Sequence, residues 1–272
     1  TNPSFSTTGL KVEEHTETLT IQECELKEIT GKPSCIVSCH SITIDGLNIN
    51  SQETTETAIQ ILKSNVISIK ELGVKGQIES AIELHNSLPA GQSLQFDISD
   101  SSFQNSGNGI KFTDSFSSIR TLNFASTFAK NSLISYSPTS NMNELLIHHL
   151  NFQGCTANEG SLINVADQIN TINISYSEFE SCRGKVFTIS SPNLVVDNCN
   201  FKSHIITSDG CLGIESITNA QILNCNFSST TTVNHNKEFK GGAIYVVSGI
   251  STSEPEVIIR DSTFHITRNL KE

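Results

Sequence analysis

The chain has no tryptophan, one methionine, three tyrosines and six prolines among 272 residues. A core built on large mixed aromatics is therefore excluded, and the filling must come from aliphatic residues and fourteen phenylalanines. No apolar run approaches the ~18 residues of a membrane-spanning helix, so direct membrane insertion is not expected. Basic residues are scarce, and the net charge is −11. No Lys/Arg stripe is available to release counterions from a nucleic-acid backbone or to dock on anionic lipid. Eight cysteines are present, but none forms a CxxC pair, which removes the usual signature of structural zinc. A phosphate loop, a nucleophile elbow and an HExxH motif are all missing, so neither cofactor nor metal is expected. The opening TNPSFSTTGL shows no basic-then-apolar leader, and the expectation is either a signal already removed or an excerpt of something longer.

What is abundant is Ile, Ser, Thr and Asn, which favour strands and turns, and a repeated phrase. NLVVDNCNF (193–201) returns as NAQILNCNF (219–227). Written as eight positions, the phrase occurs ten times: at 19–26, 42–49, 67–74, 96–103, 117–124, 145–152, 172–179, 194–201, 220–227 and 257–264. Its third position is Ile21, Ile44, Ile69, Ile98, Ile119, Ile147, Ile174, Val196, Ile222 and Ile259. Its eighth is Phe in the last seven copies: Phe103, Phe124, Phe152, Phe179, Phe201, Phe227 and Phe264.

Side chains alternate along a strand, so positions 1 and 3 share a face, as do 6 and 8. All four point inward only if the chain bends between positions 3 and 6. Position 5 is Gly46, Asp100, Asn198, Asn224 or Asp261 in half the copies, residues that tolerate a left-handed backbone. The phrase reads as strand, bend, strand. A weaker second phrase between the copies supplies a third strand through Ile36, Ile59, Ile82, Ile110, Leu133, Leu162, Val186, Leu212 and Ile244.

Strands this short cannot make a core alone, but successive turns of chain can stack. The expected fold is all-β, a right-handed parallel β-helix of about ten rungs, on the order of 50 Å long. Residues 1–18 form an N-terminal segment or partial rung, and residues 19–272 the solenoid. The Ile column (Ile147, Ile174, Val196, Ile222) and the Phe column (Phe152, Phe179, Phe201, Phe227) are expected as two buried axial ladders. An antiparallel sandwich is the rival, but it would not need one residue type at position 3 in every copy. Neither end carries a capping helix, so the chain is expected to be part of a longer β-helix or to have its final rung covered by a partner.

The tetrapeptide Gly241-Gly242-Ala243-Ile244 and the stretch Phe128-Ala129-Lys130-Asn131 bear on family. Together with the β-helix pattern they resemble the pectin-lyase-like superfamily, and within it the polymorphic outer-membrane (Pmp-type) repeats of bacterial and protist surface proteins. That resemblance implies an adhesive or structural protein at the cell surface or outside the cell. Its partners would be other proteins, further β-helix segments of the same protein, or surface glycans.

Relatives in that superfamily also include polysaccharide lyases and hydrolases, which makes a carbohydrate-acting enzyme or binding module the alternative. Such a site needs carboxylates and a basic group converging on one face. With position 4 and 5 residues stacked rung on rung, Asp97 and Asp100 are expected near Arg120, and Arg120 near His148 and His149. These columns also hold Thr121, Ser175 and Tyr176, so the cluster equally fits ordinary outward polarity. No paired-Asp run with Gly-His-Gly and Arg-Lys segments occurs, and no catalytic residue is assigned on the main reading. Cys155 and Cys182 each follow a column Phe by three residues, so they should stack about 5 Å apart and are the candidate disulfide. Asn173 and Asn226 open the sequons Asn-Ile-Ser and Asn-Phe-Ser at outward positions, a weak pointer to secretion. The longest inserted loop, 228–242, is the natural place for a docking function.

Overall fold

The computed structural model describes residues 4–6, 9–27, 35–62, 64–85, 95–105, 107–113, 118–138, 141–165, 169–203, 205–206, 211–228, 231–233, 243–248, 256–265 and 268–270. Side chains are described for most of these. The inserted loop at 228–242 and the first two residues of Gly241–Ile244 fall largely outside them.

Among the described residues twenty-seven strands join in one wound sheet. Every pairing among the described residues is parallel except Ser4–Ser6 against the start of the next strand. The architecture is a parallel β-solenoid, as the repeat requires.

The register is not uniform. Ile21, Ile44, Ile69 and Ile98 stack on one another as expected. The next pairing then places Ile98 on Phe124 and Phe96 on Leu122, so a third position lies on an eighth. From there Ile119, Ile147, Ile174, Val196, Ile222 and Ile259 form their own column. Both columns thus keep one register through about six turns rather than ten. Phe103 is correspondingly displaced from the ring ladder: it stacks between Val74 and Ala129. The second phrase also shifts slightly. Ile134, Ile163 and Phe187 carry the ladder, while Leu133, Leu162 and Val186 are buried one residue before it.

The interior follows from this stacking. Ile147, Ile174, Val196 and Ile222 are buried, as are Phe124, Phe152, Phe179, Phe201 and Phe227. Successive rings from Phe124 to Phe264 lie 4.6, 5.2, 5.2, 4.6 and 4.9 Å apart. Such ring pairs add about 0.5–1.5 kcal/mol each beyond their burial. Two members depart from the expected burial: Ile259 is 46 % and Phe264 45 % exposed, because no described strand stacks beyond them.

Position 5 is the bend. Glu23, Gly46, Glu71, Asp100, His149, Tyr176, Asn198, Asn224 and Asp261 all have positive φ. A second left-handed corner, at Ser126, Gly154, Ser181 and Ser203, continues the corner that ends at Asp100 in the early copies. Where the residue after a bend is Ser, Thr or Cys it turns inward and latches it, whereas Leu47, Leu72 and Leu150 follow their bends as apolar core residues. Ser177 Oγ donates to Ser175 O and accepts the Leu150 N–H of the neighbouring turn. Ser101 and Ser262 repeat the arrangement. Cys155, Cys182, Cys199 and Cys225 occupy equivalent places, each thiol turned to the carbonyl two residues back.

Candidate functional site

The register step disperses the expected charged constellation. Asp97 stacks on Asn123, not on Arg120. Its two oxygens accept amide N–H groups from Asn123 and Gln95. Asp100 forms the corner beside Ala125, to whose carbonyl its N–H donates. Arg120 is in register with His148; its side chain lies outside the described set. His148 Nδ1 hydrogen-bonds Ser175 Oγ, and the His149 ring stacks on Tyr176 at 5.6 Å. Arg120, His148 and His149 therefore remain neighbours in the backbone, while both aspartates are carried onto the adjoining strand and corner. The cause is the offset that puts position 3 of one turn on position 8 of the next.

What the structure builds instead is a groove at that step. Two outward columns run side by side, Ser68–Asp97–Asn123–Asn151 and Lys70–Ser99–Ala125–Gln153. Ser99 and Ala125 are short, so Lys70 and Gln153 stand as rims around a dip of about 270 Å³. Across the corner made by Glu71 and Asp100 lies a second dip of about 340 Å³, lined by Asn48, Asn50, Lys75, Ser102 and Gln104. Gly73 keeps it open, since a Cβ there would sit 2.3 Å from Asn48 Oδ1. Lys70 pairs with Glu71 at 3.3 Å on the corner, and that hydrogen bond and charge hold its ammonium above the ordinary lysine value. The linings are amides, hydroxyls and a few charges, suited to holding a polar chain. Asp97, the carboxylate lining the first groove, is held in place by two amides. Sequence reasoning missed these dips because Ala125 falls just outside the phrase.

A half-buried network also escaped notice. Glu83 accepts from Thr57 Oγ1 at 2.9 Å, His85 Nδ1 meets Thr113 Oγ1 at 2.9 Å, and Lys111 reaches Glu79 at 3.2 Å. It ties three successive turns together. Its residues are scattered between the two phrases, so no spacing announces it.

Cys155 and Cys182 stack as expected but are free thiols here, not a bridge. In-register neighbours on parallel strands point the same way, and each sulfur is directed to its own bend. The hydrogen bond between the stacked thiols, together with burial, pushes Cys182 up, and the same two causes push Cys199 up beside Cys225. Cys211 is raised by burial. Asn173 and Asn226 face outward, half-buried; Asn173 Nδ2 donates to Glu144, and Asn226 Oδ1 accepts from Thr263 at 2.9 Å. Among the described residues no three His, Cys, Asp or Glu side chains converge as metal ligands.

No model of a known protein family matches this chain, and no characterised protein or solved structure is measurably similar to it.

Proposed function

We propose that the chain is a non-enzymatic β-helical segment of a cell-surface or secreted protein, serving as rod, filament component or docking surface. The observation that carries this reading is the division of labour along the repeat. Inward positions are held nearly constant over successive turns, while outward positions change freely from turn to turn. A rigid interior with a variable polar exterior suits a scaffold that presents contacts rather than one converging chemistry. The resemblance to Pmp-type surface repeats points the same way. Its partners are other proteins or further β-helix segments of the same protein, with surface glycans as a second class.

A carbohydrate-acting or carbohydrate-binding role is the second reading, favoured by the amide- and hydroxyl-lined groove around Asp97. The two are separated by incubating the protein with polygalacturonate and neutral glucans and following release of unsaturated or reducing ends. The scaffold reading expects no turnover, and an Asp97→Asn variant with an unchanged fold. Turnover lost in that variant would establish the enzyme, and binding without turnover the carbohydrate module.

A further inference from the structure

Tyr176 is the most exposed large hydrophobic side chain among the described residues, at 58 %. It stands on the corner column with φ of +51°, a conformation that costs an L-residue with a bulky side chain about 1–2 kcal/mol. The following turns place Asn198, Asn224 and Asp261 at this same corner, residues that tolerate the conformation better. Neither the fold nor the core accounts for an aromatic ring here.

Its surroundings suggest what does. One face of the ring is covered by His149 of the preceding turn, stacked at 21°. The other face looks along the rod axis over the next corner, Asn198. Beneath it lies Asp197, in register with Ser175 and fixed by one amide N–H on each oxygen, from Asn198 at 2.8 Å and Asn224 at 2.9 Å. Those amides turn an N–H group toward the carboxylate, and among the described residues nothing donates to their own carbonyl oxygens. The step therefore offers an aromatic face, a fixed anion and two carbonyl acceptors, beside the second N–H of each amide and the Tyr176 hydroxyl. A neutral sugar hydroxyl can use those polar groups but makes no use of the fixed negative charge. A guanidinium is flat, cationic and donor-only, stacks on aromatic faces and forks onto oxygen acceptors. The net charge of −11 favours the approach of such a group.

We infer that the corner step between Tyr176 and Asn198 docks an arginine side chain of a partner polypeptide. This deepens the docking reading and rests on it, but the two fail separately. Asp97-dependent sugar cleavage would overturn that reading, whereas the step is tested by its own variants. The experiment is fluorescence anisotropy with a labelled Gly-Ser peptide carrying two arginines, its lysine counterpart, and a cello-oligosaccharide as competitor. Tyr176→Asn copies the residue this chain uses one turn later, so its denaturation midpoint should match or exceed the parent's. It should weaken the arginine peptide about two- to fivefold, the range of an exposed cation–π contact. Tyr176→Phe should bind like the parent, and Asp197→Asn should weaken binding and its salt dependence. The arginine peptide should bind more tightly than the lysine one. Equal binding of the parent and Tyr176→Asn, equal binding of the two peptides, or displacement of the arginine peptide by the oligosaccharide would each overturn the inference.

Discussion

At most of these corners the left-handed residue is supported by the side chain after it, which closes the bend from inside. Serine does so with a hydroxyl that also collects an N–H from the neighbouring turn; cysteine does so with a weaker donor and more apolar bulk. That fits the sharing of position 6 between Cys, Ser and Leu, and it fits thiols that are buried without being bridged. Their reactivity should follow. Cys24 is exposed and should label with a thiol reagent in the native protein, whereas Cys155, Cys182, Cys199, Cys211 and Cys225 should label only on unfolding. Mass spectrometry of labelled peptides reads this directly. A pH dependence follows as well. Burial raises Cys211 in the fold above the ordinary 9.0, so above that pH the folded state keeps a proton there that the unfolded one releases. Stability contributed by this thiol is fully present below pH 9 and falls as pH rises beyond it. Denaturant midpoints should be level below pH 9 and decline from pH 9 to 10, and replacing Cys211 with serine should flatten the decline.

At the level of elements, stability lies in columns rather than in single strands. Phe179 touches Phe152, Phe187 and Phe201 with ring centroids 5.2 Å away in each case. Neighbours on both sides are held by their own ladders and cannot close over a gap. Phe179→Ala should therefore cost about 3–5 kcal/mol, in the upper range for a cavity that does not collapse. Urea unfolding of parent and variant tests this, and an unchanged midpoint would contradict the stacked-ring core. Phe264, 45 % exposed and packed on one side only, should cost much less when replaced by Ala.

For the whole molecule, each turn contacts only its neighbours, so protection should vary along the rod rather than being uniform. The turns spanning 145–201 have a partner on either side and buried columns. The turn at 256–265 leaves Val257, Ile259 and Phe264 at 39, 46 and 45 % exposure. Hydrogen exchange should be slowest in the first region and fastest in the second. Uniform exchange would mean that the turns unfold as a single unit.

The architecture was legible because a solenoid must present the same residue to the same place in every turn, and a column of Ile is written in the chain as a period. The left-handed corners were legible at Gly46, Asp100, Asn198, Asn224 and Asp261 for the same reason, since few residue types tolerate that backbone. Glu23, Glu71, His149 and Tyr176 share the conformation with no such mark in their chemistry. Register across turns was a different matter. Backbone hydrogen bonds are satisfied equally by an in-phase or an offset partner, provided an apolar residue meets an apolar residue. Ile98 on Phe124 meets that condition as well as Ile98 on Ile119 would. The early copies carried the one hint, ending in Leu26, Ile49 and Val74 where the later ones end in Phe. That offset, decided only by packing, parted Asp97 from Arg120, opened the groove at Ser99 and Ala125, and set which charges share a face. A repeat dictates what lies inside the rod; what meets on its outside depends on how the turns slide before they lock.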